Sequence, residues 1–296
     1  MNHFDTNSPW GTWKALGFAA ICLKIVDHLP VNPLFRKLAF LLRKPVKNSP
    51  QYAYDREIWG LKMRLATRGN LTEQRWLTMP NFHDAVEREA LRSALHPGGV
   101  FLDVGANAGF YTFWALAQNQ PGLRVISVEP NEVMMARMRH NLSVNGLTFA
   151  VTLCDCAVTP EPCEVVIEEH RENLGQTTTR VDGTGCRVPG RPLLEILQEA
   201  KVSRVDAMKI DIEGFEVPVL EAFFHTAPRG MWPRLIIGEI VGEGGAPLKD
   251  LLTAQGYRLD RWTKMNGILM LPEDASSGSI AEQVLDQTNN ITPFKL

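Results

Sequence analysis

The sequence predicts an α/β fold with a mostly parallel sheet and helices on both faces, and three observations carry that reading. From residue 100 onward, short apolar strands alternate with stretches of helical periodicity, the pattern of right-handed strand–helix–strand crossovers. A glycine-containing turn, Gly105 to Gly109, joins the first of these strands to the first helix. An acidic residue, Glu129, ends the second strand, roughly 20 positions past the turn.

The elements follow in chain order. Residues 1–50 are basic: Lys14, Lys24, Arg36, Lys37, Arg43, Lys44 and Lys47 face only Asp5 and Asp27. Two apolar blocks, Leu16 to Val26 and Leu34 to Leu42, are separated by Pro30 and Pro33. Each reads as a short amphipathic helix. The pair is expected to cap the domain that follows, or to lie on an anionic membrane surface. Residues 51–82 form a connector with a strand expected over Ile58 to Leu65 and a turn at Arg68-Gly69-Asn70. Apolar residues at helical spacing predict a helix from Asp84 to Leu95, ended by His96-Pro97-Gly98-Gly99.

The α/β run then occupies 83–272. Strands are expected at Val100–Val104, Arg124–Val128, Val151–Cys154, Val205–Ile210 and Arg234–Ile240. Helices are expected at Phe110–Gln118 and Glu132–Asn141, and Gly256–Trp262 with Gly267–Leu271 form a closing pair of strands. An insertion over 160–200 holds Glu164 to Glu169, a polar run Asn173 to Thr179 and a helix from Arg191 to Ala200. It falls where it can shape a substrate pocket. The tail 273–296 is polar.

Composition sets limits on function. The 296 residues are 45% hydrophobic with a net charge of -2, which suits a globular chain and argues against phosphate tracking along a nucleic acid. The five cysteines include no CxxC pair, so neither a zinc site nor a disulfide framework is expected. They fit a reducing, cytoplasmic setting. No segment reaches the roughly 20 apolar residues of a spanning helix, and no signal peptide is evident near the start.

The chemistry concentrates at strand ends, where open α/β sheets bind their ligands. In Phe101-Leu102-Asp103-Val104-Gly105-Ala106-Asn107-Ala108-Gly109-Phe110, Gly105 and Gly109 are expected to clear space for a ligand beside the backbone. Asp103 is placed to orient the turn or to reach a ligand's amino group through water. Glu129, followed by Pro130 and Asn131, is placed to accept both hydroxyls of a ribose. Dinucleotides and S-adenosylmethionine share that geometry, and the turn separates them. A pyrophosphate wants glycine at the second position of GxGxxG, where this chain has Asn107. S-adenosylmethionine has no pyrophosphate, and its amino-acid end suits acidic and amide groups.

Four separated blocks, FLDVGANAGFYT, VEPN, NLSVNG and KIDIEGFE, resemble in order the FkbM-type methyltransferases over about residues 80 to 270. The resemblance implies a Rossmann-like class I methyltransferase fold, with seven strands and an antiparallel terminal strand. It also implies S-adenosylmethionine as donor and methyl transfer to oxygen of secondary metabolites or sugars. By position it makes Asp103, Gly105, Ala106, Asn107 and Gly109 the donor loop, with Glu129 and Pro130 at the ribose. The family often carries a Leu-Asp pair before the fourth strand, where this chain has Leu193-Leu194-Glu195.

The acceptor side is read from Lys209-Ile210-Asp211-Ile212-Glu213-Gly214. Alternation puts Lys209, Asp211 and Glu213 on one side of an extended chain, and three charges at a strand end are costly to bury unpaired. Asp211 or Glu213 is the expected general base, with Lys209 steering the acceptor. His170, whose ordinary pKa is about 6.5, is a further candidate base in the insertion, and Arg171 a candidate anion contact. Asp155 is a candidate for the adenine amine. Asp211 and Glu239 end neighbouring strands, but no third ligand is evident and no metal is expected. The expected acceptor is a small molecule or glycan and not a nucleic acid, for the Asn/Asp-Pro-Pro-aromatic strand end of base methylation is missing. A donor-fold module that binds without turnover and an RNA methyltransferase are the alternatives.

Overall fold

The computed structural model describes residues 4–170, 173–180, 185–241 and 245–272, the side chains of 168–180 excepted. Helices α1 (Gly17–Asp27) and α2 (Pro33–Lys47) come first, followed by the hairpin β1 (Ala53–Ile58) and β2 (Leu61–Ala66), and by α3 (Leu71–Thr78) and α4 (Ala85–Ala94). The expected single strand from Ile58 to Leu65 is thus two strands. Trp59 and Gly60 both have positive φ, 54° and 77°, the two-residue turn that matches the twist of an antiparallel pair. Alternation persists across such a turn, which is why it read as one strand.

The α/β part comprises β3 (Val100–Val104), α5 (Phe110–Ala117), β4 (Arg124–Val128), α6 (Glu132–Val144) and β5 (Val151–Cys154). After an insertion it resumes with α7 (Leu193–Glu199), β10 (Ala207–Ile210), α8 (Glu216–Thr226), β11 (Leu235–Glu239), α9 (Gly245–Ala254), β12 (Arg258–Trp262) and β13 (Asn266–Met270). The insertion supplies β6 (Ala157–Val158), β7 (Cys163–His170), β8 (Asn173–Arg180) and β9 (Cys186–Arg191), a separate four-stranded sheet in the order β6-β9-β7-β8. The polar run is therefore a strand. Pro192 precedes the first turn of α7, so that helix starts two residues later than expected.

The main sheet has seven strands in the order β12-β13-β11-β10-β3-β4-β5. Only β13 runs against its neighbours β11 and β12. The order reverses at β3, which pairs in parallel with both β10 and β4, and such a reversal opens a crevice at the strand ends. Alternate residues of β3 feed two cores. Phe101 packs with Trp76, Leu91, Phe113 and Met138 on one face; Leu102 and Val104 pack with Leu197, Leu220 and Leu252 on the other. The hairpin and α3 belong to the first of these cores through Met63, Leu65 and Trp76.

Residues 5–14 and the helix pair are bound to this body. Arg64 of β2 is fully buried, pairs with Asp55 at 2.7 Å, and donates to the carbonyls of Asp5, Ser8 and Pro9. The other oxygen of Asp55 accepts from the backbone of Gly11 and Trp13. A buried pair this fully hydrogen-bonded offsets its desolvation cost. Val26 of α1 and Ala39 of α2 pack with Met79 and Phe82. The free edge of β2 is closed by α6: Asn141 and Asn145, one helical turn apart, pair their amides with the backbone of Arg64 and Lys62 at 2.7–3.0 Å. The asparagines of NLSVNG thus do the work of a neighbouring strand.

Candidate functional site

The turn after β3 hangs from β4. Gly105 and Ala106 donate their backbone N–H groups to the Val128 carbonyl at 2.9 and 3.0 Å. Positive φ at Gly105 (74°), Asn107 (54°) and Gly109 (88°) coils the chain tightly, and asparagine is among the few non-glycine residues that enter that region readily. At both glycines a Cβ would meet neighbouring protein atoms. A Cβ on Gly105 would lie 1.9 Å from the Asp211 carbonyl oxygen, and one on Gly109 3.0 Å from the Phe113 ring. Their absent side chains admit the end of β10 and the packing of α5.

Each polar side chain of the turn has a defined partner. Asp103 is buried and takes both the backbone N–H (2.9 Å) and the hydroxyl (2.6 Å) of Thr112, which in turn meets Ser127 at 2.6 Å. These bonds tie the end of β3 to the first turn of α5. Burial raises its pKa to about 6 against the lowering effect of Thr112 and Lys209. Asn107 accepts from Ala108 (2.7 Å) and from the Asn70 amide (2.6 Å). Glu129 receives the backbone N–H of Asn107 on one oxygen (2.7 Å) and of Asn131 on the other (2.8 Å). Burial nevertheless raises it to about 7. Asn131 also caps α6, accepting from Val133 at 2.9 Å.

A cavity of about 1030 Å³ opens on these groups. Asp103, Gly105, Ala106, Asn107, Glu129, Pro130, Lys209, Asp211 and Glu213 all line it, so strand ends and turn converge as expected. Gly109 and Asp155 are not in its wall. Asp155 instead pairs with Arg139 on the exposed surface. The side chain of His170 and all of Arg171 lie outside the described residues.

The far end of the cavity holds the charges of β10. Lys209 is buried and its Nζ stands 3.3 Å from Asp211 Oδ2, 3.2 Å from the Ile210 carbonyl and 3.5 Å from Asn266 Oδ1. Asp211 is about half exposed and open to the cavity. Glu213 does not continue the alternation. β10 ends at Ile210, and Glu213 and Gly214 turn the chain with φ of 52° and 99°. Glu239 is raised above its usual range by burial and by Asp211 nearby. No group of three or more metal-ligating side chains occurs among the described residues.

Sequence reasoning missed a neighbouring cluster. His83 Nδ1 lies 3.1 Å from Asp84, which also accepts from the Tyr111 hydroxyl at 2.9 Å. All three line the cavity. Burial of Asp84 is outweighed by hydrogen bonds from His83 and Tyr111, which hold it down at about 2. Tyr111 follows the turn directly, but His83 and Asp84 sit between α3 and α4 with no pattern to mark them.

The wall suits an adenosyl donor. Glu129 is a buried carboxylate with no cation paired to it among the described residues, and each oxygen has accepted only one hydrogen bond. A carboxylate so placed is costly unless further donors reach it, and vicinal hydroxyls provide two.

Several solved structures are similar to the chain at low identity. The FkbM methyltransferase of Methylobacillus flagellatus KT is 17% identical, with a TM-score of 0.41, over 67% of this chain and 54% of that one. A precorrin-6y C5,15-methyltransferase from Geobacter metallireducens GS-15 is 15% identical, with a TM-score of 0.40, over 64% and 87%. Cofactor-bound Rv0187 from MTB is 13% identical, with a TM-score of 0.41, over 88% and 100%. No curated protein matches the chain by sequence. The family model for the methyltransferase FkbM domain matches residues 103–259, just over half of the chain. That span runs from the end of β3 to the start of β12, and the chain belongs to the FkbM family of S-adenosylmethionine-dependent methyltransferases.

Proposed function

We propose that this methyltransferase acts on an oxygen, a hydroxyl or carboxyl, of a small-molecule or sugar acceptor, and that Asp211 is its proton acceptor. The observation that carries the reading is the Lys209–Asp211 pair at the end of β10. It sets a half-exposed carboxylate in the cavity wall beside a buried ammonium. Glu129 would hold the donor's ribose, and Ala106 and Asn107 the rest of its polar edge. When bound, S-adenosylmethionine supplies a methyl group on positively charged sulfur.

The chain's own residues position and deprotonate. With the donor held at Glu129, an acceptor hydroxyl within reach of Asp211 would give its proton to that carboxylate as its oxygen is methylated. Lys209 fixes the Asp211 rotamer and limits the build-up of negative charge among Asp211, Glu239 and Asp103. Orientation does most of the work, since the leaving sulfur needs no protonation. His83 favours a second reading, in which the His83–Asp84 dyad takes the proton.

The test is transfer of a labelled methyl group to a panel of hydroxy and carboxy acceptors. Asp211→Asn should lower turnover about 100-fold, with donor affinity by calorimetry unchanged. Full turnover in Asp211→Asn with loss in His83→Asn would move the base to the dyad. Transfer to RNA and to no small acceptor would end the proposal.

A further inference from the structure

Helices α1 and α2 are apolar on two sides, and the fold uses only one. Cys22, Leu23 and Val26 of α1, with Ala39 and Val46 of α2, face inward and are buried. Phe18, Ile21 and Ile25 of α1 and Leu34, Leu38 and Leu41 of α2 are exposed, Phe18 by 66% and Leu34 by 72%. Both trios have helical spacing, so each helix turns a second apolar stripe outward. Of the 17 large hydrophobic residues exposed among those described, nine fall between Leu16 and Leu41. Scattered exposed hydrophobics need no explanation, but such a concentration does.

Charge says what covers this face. Residues 1–50 carry seven lysines and arginines against two aspartates, a net charge of +5, while the whole chain is -2, so the remaining residues are net -7. One of the two aspartates, Asp27, is engaged by Arg56. The apolar stripes are thus flanked by Lys24, Arg36, Lys37, Arg43 and Lys44 on an otherwise acidic molecule. A second copy would bring the same positive charge to this face and repel it. An anionic bilayer matches both features: basic side chains meet headgroups while the apolar stripes enter the headgroup–acyl boundary. At 11 and 15 residues, α1 and α2 are too short to cross a bilayer, and no described helix is long and apolar enough to do so. An in-plane seat remains.

We propose that the α1–α2 pair is a docking surface for anionic lipid bilayers. The seat adjoins the catalytic cavity, since Arg36, Lys37 and Phe40 of α2 also line it, as do Met79 and Phe82, on which the helix pair packs. It does not depend on which acceptor is methylated.

The experiment is co-sedimentation of the full chain with vesicles of phosphatidylcholine alone or with 30% phosphatidylglycerol. Binding to the anionic vesicles should exceed binding to the neutral ones about tenfold and fall with added salt. Ile21→Glu with Leu41→Glu, and separately Lys24→Glu with Lys44→Glu, should each abolish it. S-adenosylmethionine binding by calorimetry reports that the variants are folded. Equal binding of wild type and both variants, or none by wild type, overturns the proposal. A concentration-dependent dimer broken by Ile21→Glu/Leu41→Glu, without vesicle binding, would give the face to a second copy. Loss of donor binding in the wild-type chain would sink the methyl-transfer reading and leave the vesicle result standing.

Discussion

The two ends of the cavity are built by opposite rules. At the end proposed for the donor, most of the hydrogen bonds described join groups within a short stretch of sequence, Asp103 to Thr112, Thr112 to Ser127, Glu129 to Asn107 and Asn131, with the Asn70 amide reaching Asn107 from the start of α3. At the end proposed for the acceptor, the walls come from segments up to 183 positions apart, His83 from before α4 and Asn266 from β13, with α2 at the rim. A mostly local network tolerates little change and yields a recognisable motif. A wall assembled from distant segments leaves charged groups such as Asp211 open to whatever is bound.

The largest effect that would break this comparison is at Gly105. A Cβ there lies 1.9 Å from the carbonyl oxygen of Asp211, and φ is 74°, so both steric and conformational strain arise at once. Gly105→Ala should destabilise the protein by about 3 kcal/mol or more, read by chemical denaturation. A change under 1 kcal/mol would mean that the donor turn is looser than its hydrogen bonds imply.

Glu129 sharpens the comparison with a smaller effect. Glu129→Gln should weaken S-adenosylmethionine binding by about 2 kcal/mol, roughly 30-fold, with little change in fold. pH provides the control. Burial raises the carboxyl from 4.5 to about 7. In the free protein this contribution to stability is complete below pH 4.5 and is lost as pH rises through 7. Ribose hydroxyls donate to the ionised form, so donor affinity runs the other way, full above pH 7 and falling below it. The variant should lose that slope. A donor affinity flat from pH 5 to 8 in the native chain would remove Glu129 from the ribose.

The same division decides what was legible in the sequence. The order of strands, the turn and Glu129 follow from local periodicity and spacing, and β3, β4 and β5 lie where the apolar runs put them. The purpose of Gly105 was not legible, because its neighbour Asp211 is 106 positions away and meets it only through the pairing of β3 with β10. The hairpin was hidden because alternation continues across Trp59-Gly60. The sheet in the insertion was hidden because a strand such as Asn173–Arg180 has polar residues where a core strand would not. His83 and Asp84 carry no signal of their own, and only the packing of α3 and α4 against α5 brings them to Tyr111.

Asp155 bounds the comparison from the weak end. Spacing after β5 suggested a contact with adenine, but its carboxylate turns outward to Arg139, with both side chains about half exposed. Exposed pairs of this kind contribute about 0–1 kcal/mol. Asp155→Ala should therefore leave donor affinity within about twofold and stability within about 0.5 kcal/mol, measured by calorimetry and denaturation. Should affinity fall tenfold instead, the side chain must swing from Arg139 to the cavity when the donor arrives. The donor end would then share the adaptability assigned here to the acceptor end alone.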